Sequence, residues 1–378
     1  MCYNKTMNVI LGLDIGTEFV KAVLARADKK GNLEILGAAK ARQQDGAMHA
    51  GAISDIPAVV SACEEALVEV EDQSGERAST TVVGVAGELI KGNTTSVNYT
   101  RKDKNRPITE AEMSEILKKV QQKSGEVVGK EIALETGSDS TEVSLISSAI
   151  VSLTIDGYKI TNPIGFKGSK VSILIYTAFA PMIHVSAIEK VCAELNLDLL
   201  TVAVEPFAVC RACLGDNTDS EFSGIIVDIG SHTTDVAVIN GGVVEGTKAF
   251  SVGAAAAKKN PAVWLSALGV ILEESIAERL PGLIYLCGGG AAEPVLQEQL
   301  ATSDWYESLP FARRPVINLI DVSDLPNLST AKLSTASLHA LDYSYATALG
   351  LIRVGVDTLA GSPDEHGLRS RLAKLLQN

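Results

Sequence analysis

The chain has 378 residues, of which 46% are apolar and 21% charged, and its net charge at pH 7 is −13. That length and apolar fraction exclude a disordered polymer and call for two or more globular domains. The acidic balance argues against a general nucleic-acid binder, which would present a basic face, so no nucleic acid is expected as a partner.

The N-terminal seven residues lack the apolar core of a signal peptide, which assigns the body of the chain to the cytoplasm. Strands are expected at 9–13 and 19–24, followed by a helix at 56–70 with apolar residues at Val59, Val60, Ala66, Leu67 and Val70. A strand at 81–85 and a charged turn at 101–107 come next. Thr109 caps a helix, because Glu112 stands three residues on and Met113, Ile116, Leu117 and Val120 form a stripe. A hairpin at 143–155 and 158–161 turns at Asp156-Gly157; a strand at 170–179, a helix at 186–195, a strand at 199–204 and a helix at 206–214 follow. Behind the polar stretch 215–221 come strands at 224–227, 235–239 and 243–250, with a Gly241-Gly242 turn. A helix at 262–280, a strand at 283–287, the triplet Gly288-Gly289-Gly290, a helix at 293–300 and a last core helix at 345–354 complete an α/β pattern. No apolar run approaches the roughly 20 residues that a membrane-spanning helix needs. The residues of the Cys210-x-x-Cys213 pair read as two small residues on one side of a helix, since no second pair stands at zinc spacing.

One phrase occurs twice. Leu13-Asp14-Ile15-Gly16-Thr17 closes the first strand, and Val227-Asp228-Ile229-Gly230-Ser231, followed by Thr233, Thr234 and Asp235, closes another in the second half. A small turn of this kind leaves backbone N–H groups free to face one anion, and the adjacent Asp can hold a hydrated cation. Two of them are what a nucleotide clamped between related domains requires. Singly, each element has a plain reading. Asp-Ile-Gly is an ordinary turn, Lys21 a solvated strand residue, Glu205 an acid favoured at a helix N-terminus, and the glycine triplet a strand-to-helix turn. Their order and spacing turn them into a site.

In that order the motifs resemble the FtsA family of bacterial cell-division proteins, with PilM pilus-assembly proteins as near relatives, within the actin-like and sugar-kinase ATPase superfamily. The resemblance rests on Gly12-Leu13-Asp14-Ile15-Gly16-Thr17 with Lys21, Glu34-Ile35-Leu36-Gly37, Gly51-Ala52-Ile53-Ser54-Asp55 and Ile108-Thr109-Glu110-Ala111-Glu112. It continues through Asp156-Gly157-Tyr158, Asn162-Pro163-Ile164-Gly165 with Gly168, Glu205-Pro206-Phe207-Ala208, the loop 287–291 and Tyr345-Ala346-Thr347-Ala348-Leu349-Gly350-Leu351. It implies an α/β actin-like ATPase fold of two related, RNase H-like halves with an inserted 1C (SHS2-type) subdomain. Residues 1–96 would form the first part of subdomain 1A, 97–182 subdomain 1C, and 183–220 the remainder of 1A. Residues 221–360 would form 2A with reduced or absent 2B, and 361–378 a linker and amphipathic tail.

The implied ligand is ATP or ADP with Mg²⁺, or none should the site be degenerate. Gly16, Thr17, Gly230, Ser231, Thr233 and Thr234 would hold the phosphates with Lys21, and Gly288, Gly289 and Gly290 would let the backbone approach the adenine. Asp14 and Asp228 would hold Mg²⁺ through water, and Glu205 would orient an attacking water. Two departures qualify this. The family's second loop reads Asp-Ile-Gly-Gly-Gly-Thr-Thr-Asp, whereas Ser231 and His232 stand here at two of the glycines, and His232 reads as a solvent-facing residue unless it touches a phosphate. The interval 254–287 leaves no room for 2B, which in FtsA walls the cleft, supplies a Glu/Lys pair to the nucleoside and docks the tubulin-like ring protein FtsZ. A wetter cleft weakens electrostatic catalysis, so at most a weak ATPase is expected.

The tail places Leu368, Leu372, Leu375 and Leu376 on one helical face, flanked by Arg369, Arg371 and Lys374. That suits an anionic membrane surface, the alternative being a helix packed on its own domain. The leading expectation is therefore an FtsA-like scaffold, peripheral on the inner face of the cell membrane, that self-associates into filaments and links a division ring to the membrane. The alternatives are a PilM-like platform gripping a peptide of a membrane protein, and an active ATPase or kinase of the superfamily.

Overall fold

A computed structural model describes residues 8–360 apart from 29, 161, 215–221 and 275–278. The amphipathic tail and the polar stretch 215–221 thus lie outside the described residues.

The first half opens with β1 (Asn8–Ile15), β2 (Phe19–Ala27) and β3 (Leu33–Arg42), then a small hairpin of β4 (Met48–His49) and β5 (Ala52–Ile53). Helix α1 (Ile56–Ser74) starts at Asp55, whose side chain accepts the Ala58 N–H, and stops at Gly75 with φ of 68°. It buries Val59, Ala62, Cys63, Ala66, Leu67 and Val70 against β2 and β3. Next come β6 (Thr80–Val85), β7 (Lys91–Thr100) and α2 (Glu110–Thr136), the last capped by Thr109 as its sequence predicts. Strands β8 (Val143–Ile155), β9 (Tyr158–Lys159) and β10 (Lys170–Pro181) precede α3 (Met182–Glu194), β11 (Asp198–Val204) and α4 (Glu205–Leu214). The second half has β12 (Gly224–Ile229), β13 (Thr234–Asn240), β14 (Val243–Phe250), α5 (Ala254–Ala257) and α6 (Pro261–Glu274). It ends with β15 (Leu283–Cys287), α7 (Pro294–Thr302), β16 (Val316–Leu319), β17 (Leu328–Ser329), α8 (Thr335–Ala340) and α9 (Ala346–Ala360).

The sheets carry the same design twice. In the first half β3-β2-β1-β6-β11 runs antiparallel, antiparallel, parallel, parallel. In the second half β14-β13-β12-β15-β16 repeats that order and those directions. Each Asp-Ile-Gly phrase therefore sits at the turn between the first two strands of its own sheet. The second sheet does not stop at β14. It pairs on to β7, at Gly246 with Asn93 and Thr247 with Gly92, and continues through the meander β7-β10-β8-β9 to nine strands. Helix α2 covers that meander, packing Met113, Ile116, Leu117 and Val120 on Leu153, Ile155, Val171, Ile173 and Ile175.

Several elements differ from expectation. The helix expected from 186 begins at Met182, and the one expected over 262–280 runs Pro261–Glu274 behind a separate α5. Strand β7 is not anticipated, and the expected boundary at 96/97 falls inside it. Nor are β16, β17 and α8 anticipated; β17 carries the chain back to the edge of β3. Among the described residues no strand lies between Phe250 and Leu283, so that connection is helical.

Helices α4 and α9 cross between the halves at small residues. A Cβ at Gly350 would run into the Ala208 carbonyl, and one at Gly12 into that of Ala348, so α9 approaches both α4 and β1 at backbone distance. Arg211 on α4 holds Asp357 on α9 at 2.8 Å. Gly350→Ala is expected to cost about 1–3 kcal/mol of unfolding free energy, because the obstacle is main chain rather than a flexible side chain. Urea denaturation measures it, and an unchanged midpoint would show that the helices separate freely.

Candidate functional site

The two Asp-Ile-Gly turns close in the same way. The Gly16 N–H donates to Phe19 O at 3.1 Å, and the Gly230 N–H to Thr233 O at 2.9 Å. These two amides are spent within their turns. The N–H groups of Thr17, Glu18, Ser231 and His232 have no partner among the described residues, which leaves them as donors for an anion. A third turn follows β15, where Gly288 takes φ of 81° and a Cβ would strike Asp228 Oδ1. The Gly290 N–H donates to Ile229 O at 2.8 Å and ties this turn to the second loop. Its counterpart after β6 is Gly87, with φ of 111°.

The two Asp-Ile-Gly turns and the glycine turn after β15 open on one cleft of about 520 Å³. Its lining includes Asp14, Gly16, Thr17, Lys21, Glu205, Asp228, Gly230, Ser231, Thr233, Gly288, Gly289 and Gly290, residues drawn from both halves. The sequence-predicted set thus comes together, with one exception. Thr234 is fully buried on the other side of β13, donating to Val252 O at 2.8 Å and accepting from Trp264 Nε1 at 2.9 Å. It is part of the second-half core, not of the cleft. His232 faces solvent as expected, with one contact added. Its ring is exposed, but Nδ1 lies 3.3 Å from Thr17 Oγ1, so it bridges the two turns.

The floor is crowded with acids. Lys21 Nζ donates to Asp14 Oδ2 at 2.7 Å, and both side chains are buried. Burial alone would pull the Lys21 ammonium down, but Asp14, Asp228 and Glu205 overcome it and hold its pKa above the ordinary value. Asp228 accepts from Thr347 Oγ1 at 2.5 Å; burial raises its carboxyl, while Lys21 and the Thr347 bond oppose that. Burial and the charges of Asp14, Asp235 and Asp228 push Glu205 well above the usual carboxylate range. Among the described residues no cluster of three or more His, Cys, Asp or Glu is arranged to chelate a metal directly. Asp14 and Asp228, the two aspartates that the sequence assigns to a hydrated cation, both line the cleft.

The sequence reading also missed residues. Asp235, Arg42, Met48, His184, Lys258 and Glu293 line the cleft. Asp235 follows Thr233 by two positions, so strand alternation was the available signal. Lys258 Nζ sits 2.9 Å from Glu293 Oε2 beside the glycine turn. His184 Nδ1 is buried without a partner among the described residues, and burial lowers its pKa. Cys210 and Cys213 are free thiols, with Cys213 pushed up to about 12 by burial, consistent with the packing reading.

Asp235 accepts the Gly87 N–H at 3.4 Å across the two halves. Burial and the nearby charges of Asp228 and Asp14 push its carboxyl up to about 8, against that hydrogen bond. A carboxyl raised this far above its unfolded value near 4 keeps its proton in the native state. The stability it contributes is full below the unfolded pKa and is lost as pH rises through about 8. Asp235→Asn, which is neutral at every pH, is therefore expected to flatten the fall in stability between about pH 5 and 8. Urea midpoints of the two proteins across that range test it; parallel curves would show that Asp235 titrates as an ordinary carboxyl.

No family model matches the chain. In sequence it is 23% identical over 245 residues to cell division protein FtsA of Pseudomonas aeruginosa, covering 65% of this chain and 54% of that one. It is 24% identical over 247 residues to FtsA of Neisseria meningitidis, covering 64% and 54%. The chain spans about half the length of the curated relatives it matches. In structure it superposes on a chain of the PilM–PilN type IV pilus biogenesis complex with a TM-score of 0.66 at 15% identity, covering 93% of this chain and 99% of that one. No helix among the described residues is long and apolar enough to cross a membrane. The duplicated sheets and these likenesses show the actin-like ATPase fold and a sequence similarity to FtsA.

Proposed function

We propose that the protein is a nucleotide-binding scaffold of the FtsA type, working in cell division. The observation that carries this is the convergence of two Asp-Ile-Gly turns, one per half, on a single cleft floored by Asp14, Lys21, Asp228 and Asp235. Phosphates would take the free N–H groups of Thr17, Glu18, Ser231 and His232, with Lys21 as the buried cation. Mg²⁺ would sit between Asp14 and Asp228 with its waters, neutralising phosphate charge. The Lys258–Glu293 pair is the candidate for the nucleoside end.

Turnover is expected to be slow. Without the wall that 2B supplies in FtsA the cleft is wetter, which weakens electrostatic catalysis. The nucleotide then serves as a structural ligand. In subdomain terms, the first sheet corresponds to 1A, the α2-covered meander to 1C and the β12–β16 unit to 2A, with the helical β14–β15 connection in place of 2B. Without 2B, docking of FtsZ would need another surface, while self-association through 1C stays available. Titration calorimetry with MgATP and MgADP tests the cleft. Asp14→Ala is expected to weaken both by tenfold or more, roughly the 1.4 kcal/mol or more that a lost charge partner carries. Sustained multiple-turnover phosphate release by the wild type would contradict the scaffold reading.

The basic, leucine-faced tail supports peripheral attachment to anionic membrane. Flotation with anionic liposomes is expected for the whole chain and lost on removing residues 367–378; equal flotation would remove the membrane role. A second reading, a pilus or secretion platform that grips a peptide, is favoured by the near-complete superposition on the PilM chain.

A further inference from the structure

The contact between His232 and Thr17 joins residues 215 positions apart in sequence, one from each phosphate-facing turn. Their side-chain atoms stand 3.3 Å apart. A phosphoryl group hydrogen-bonded from both sides needs its two donors on the order of 6–8 Å apart, so none fits between these atoms while they touch.

Neither turn can simply withdraw. The second is held from behind by the Ala254 N–H to Gly230 O at 2.9 Å and the Ala255 N–H to Ser231 O at 3.0 Å. Gly253 lies flat against it, with a Cβ there striking the main chain of Gly230, Ser231 and His232. The first is held by the Gly16 N–H to Phe19 O at 3.1 Å and the Gln43 N–H to Glu18 O at 2.8 Å. With each turn fixed to its own half and the halves as they stand, the gap opens by rotation of the imidazole, which breaks its bond to Thr17. Charge acts in the same direction. A further phosphate brings more negative charge to a floor that already holds Asp14, Asp228, Asp235 and Glu205, where the buried cation, Lys21, is already bonded to Asp14.

We infer that His232 sets the length of the phosphate chain, so that the cleft takes a nucleoside diphosphate in preference to a triphosphate. This rests on the proposal that the cleft binds nucleotide. The ring stands between the turns where a terminal phosphate would lie, and a ligand ending one phosphate earlier leaves the contact intact.

Calorimetry on the full chain with MgADP and with the Mg²⁺ complex of the non-hydrolysable imido analogue of ATP tests it. The wild type is expected to bind the diphosphate about tenfold more tightly than the triphosphate analogue. His232→Gly and His232→Ala keep the main-chain N–H that faces the phosphates and remove only the ring; both are expected to strengthen triphosphate binding about tenfold and to leave diphosphate binding within about twofold. Agreement of the two variants separates loss of the ring from gain of glycine flexibility. A preference unchanged in the variants, or triphosphate binding weakened by them, would overturn the inference. Nucleotide binding that is lost in Asp14→Ala while triphosphate binding is indifferent to His232 would leave the nucleotide cleft standing and remove only this role. No binding of either nucleotide by any of the proteins would remove both.

Discussion

Four carboxyl groups and one ammonium share a floor that water barely reaches, and the rest of the site follows from how their charge is balanced. Asp14, Asp228 and Asp235 are each at least nine-tenths buried. Asp14 is paired with Lys21 and Asp228 accepts from Thr347, while burial pushes the Asp235 carboxyl up to about 8. Unpaired buried charge costs several kcal/mol, so a floor this acidic is stable only with such devices or with an added cation. On the proposed reading, that surplus of acids gives the cleft a use for a cation-bound anion. Burial raises Glu205 and Asp235 most and the neighbouring acids add to it; on the proposed reading, Mg²⁺ held by Asp14 and Asp228 would offset that second part.

The two halves are stitched at more than the cleft. Tyr176 Oη meets Thr247 Oγ1 at 3.0 Å where β10 passes the seam, and Gly92 is required there because a side chain would fall on those same two groups. The Ser251 N–H donates to Glu88 Oε1 at 2.6 Å, and the Gly87 N–H reaches Asp235. The segment joining β6 to β7 thus touches the second half just before β7 adds its edge to β14. On the opposite side α9 lies on β1 and α4 and bonds Asp228 through Thr347. A ligand that moves Asp228 or Asp235 therefore presses on α9 or on the seam leading to the meander. That is a physical route from the cleft to the surface proposed for self-association.

Much of this was legible in the sequence because turns advertise themselves. A Cβ at Gly16 would strike the carbonyl of Phe19 and one at Gly288 would strike Asp228, while one at Gly230 would press closely on the carbonyl of Thr233. The order of such glycines along the chain was enough to expect the fold and most of the cleft. The failures have equally local causes. Thr234 belongs to the same phrase as Thr233 and Asp235, but alternation along β13 turns it to the core and to Trp264. Strand β7 reads Lys-Gly-Asn-Thr-Thr-Ser and carries little apolar pattern; pairing to β10 on one side and β14 on the other makes it a strand. The His232–Thr17 bridge could not be read at all, since nothing in either turn announces its partner across the chain.

The helical link between β14 and β15 decides what the cleft can discriminate. Trp264, Leu265, Leu268 and Leu272 of α6 are spent on the core of the second half, beside Ile225, Val227 and Ile284, so the helix covers the sheet and not the cleft. At the glycine-turn end the polar grip is Lys258 with Glu293, and the lysine side chain is 58% exposed. An ion pair so open to solvent contributes little, whereas the phosphate end meets buried charge and free backbone amides. On the proposed reading, binding energy is concentrated at the phosphates and the metal, and the base is held only at the rim. A cleft of that kind senses how many phosphates a nucleotide carries more sharply than which base it carries.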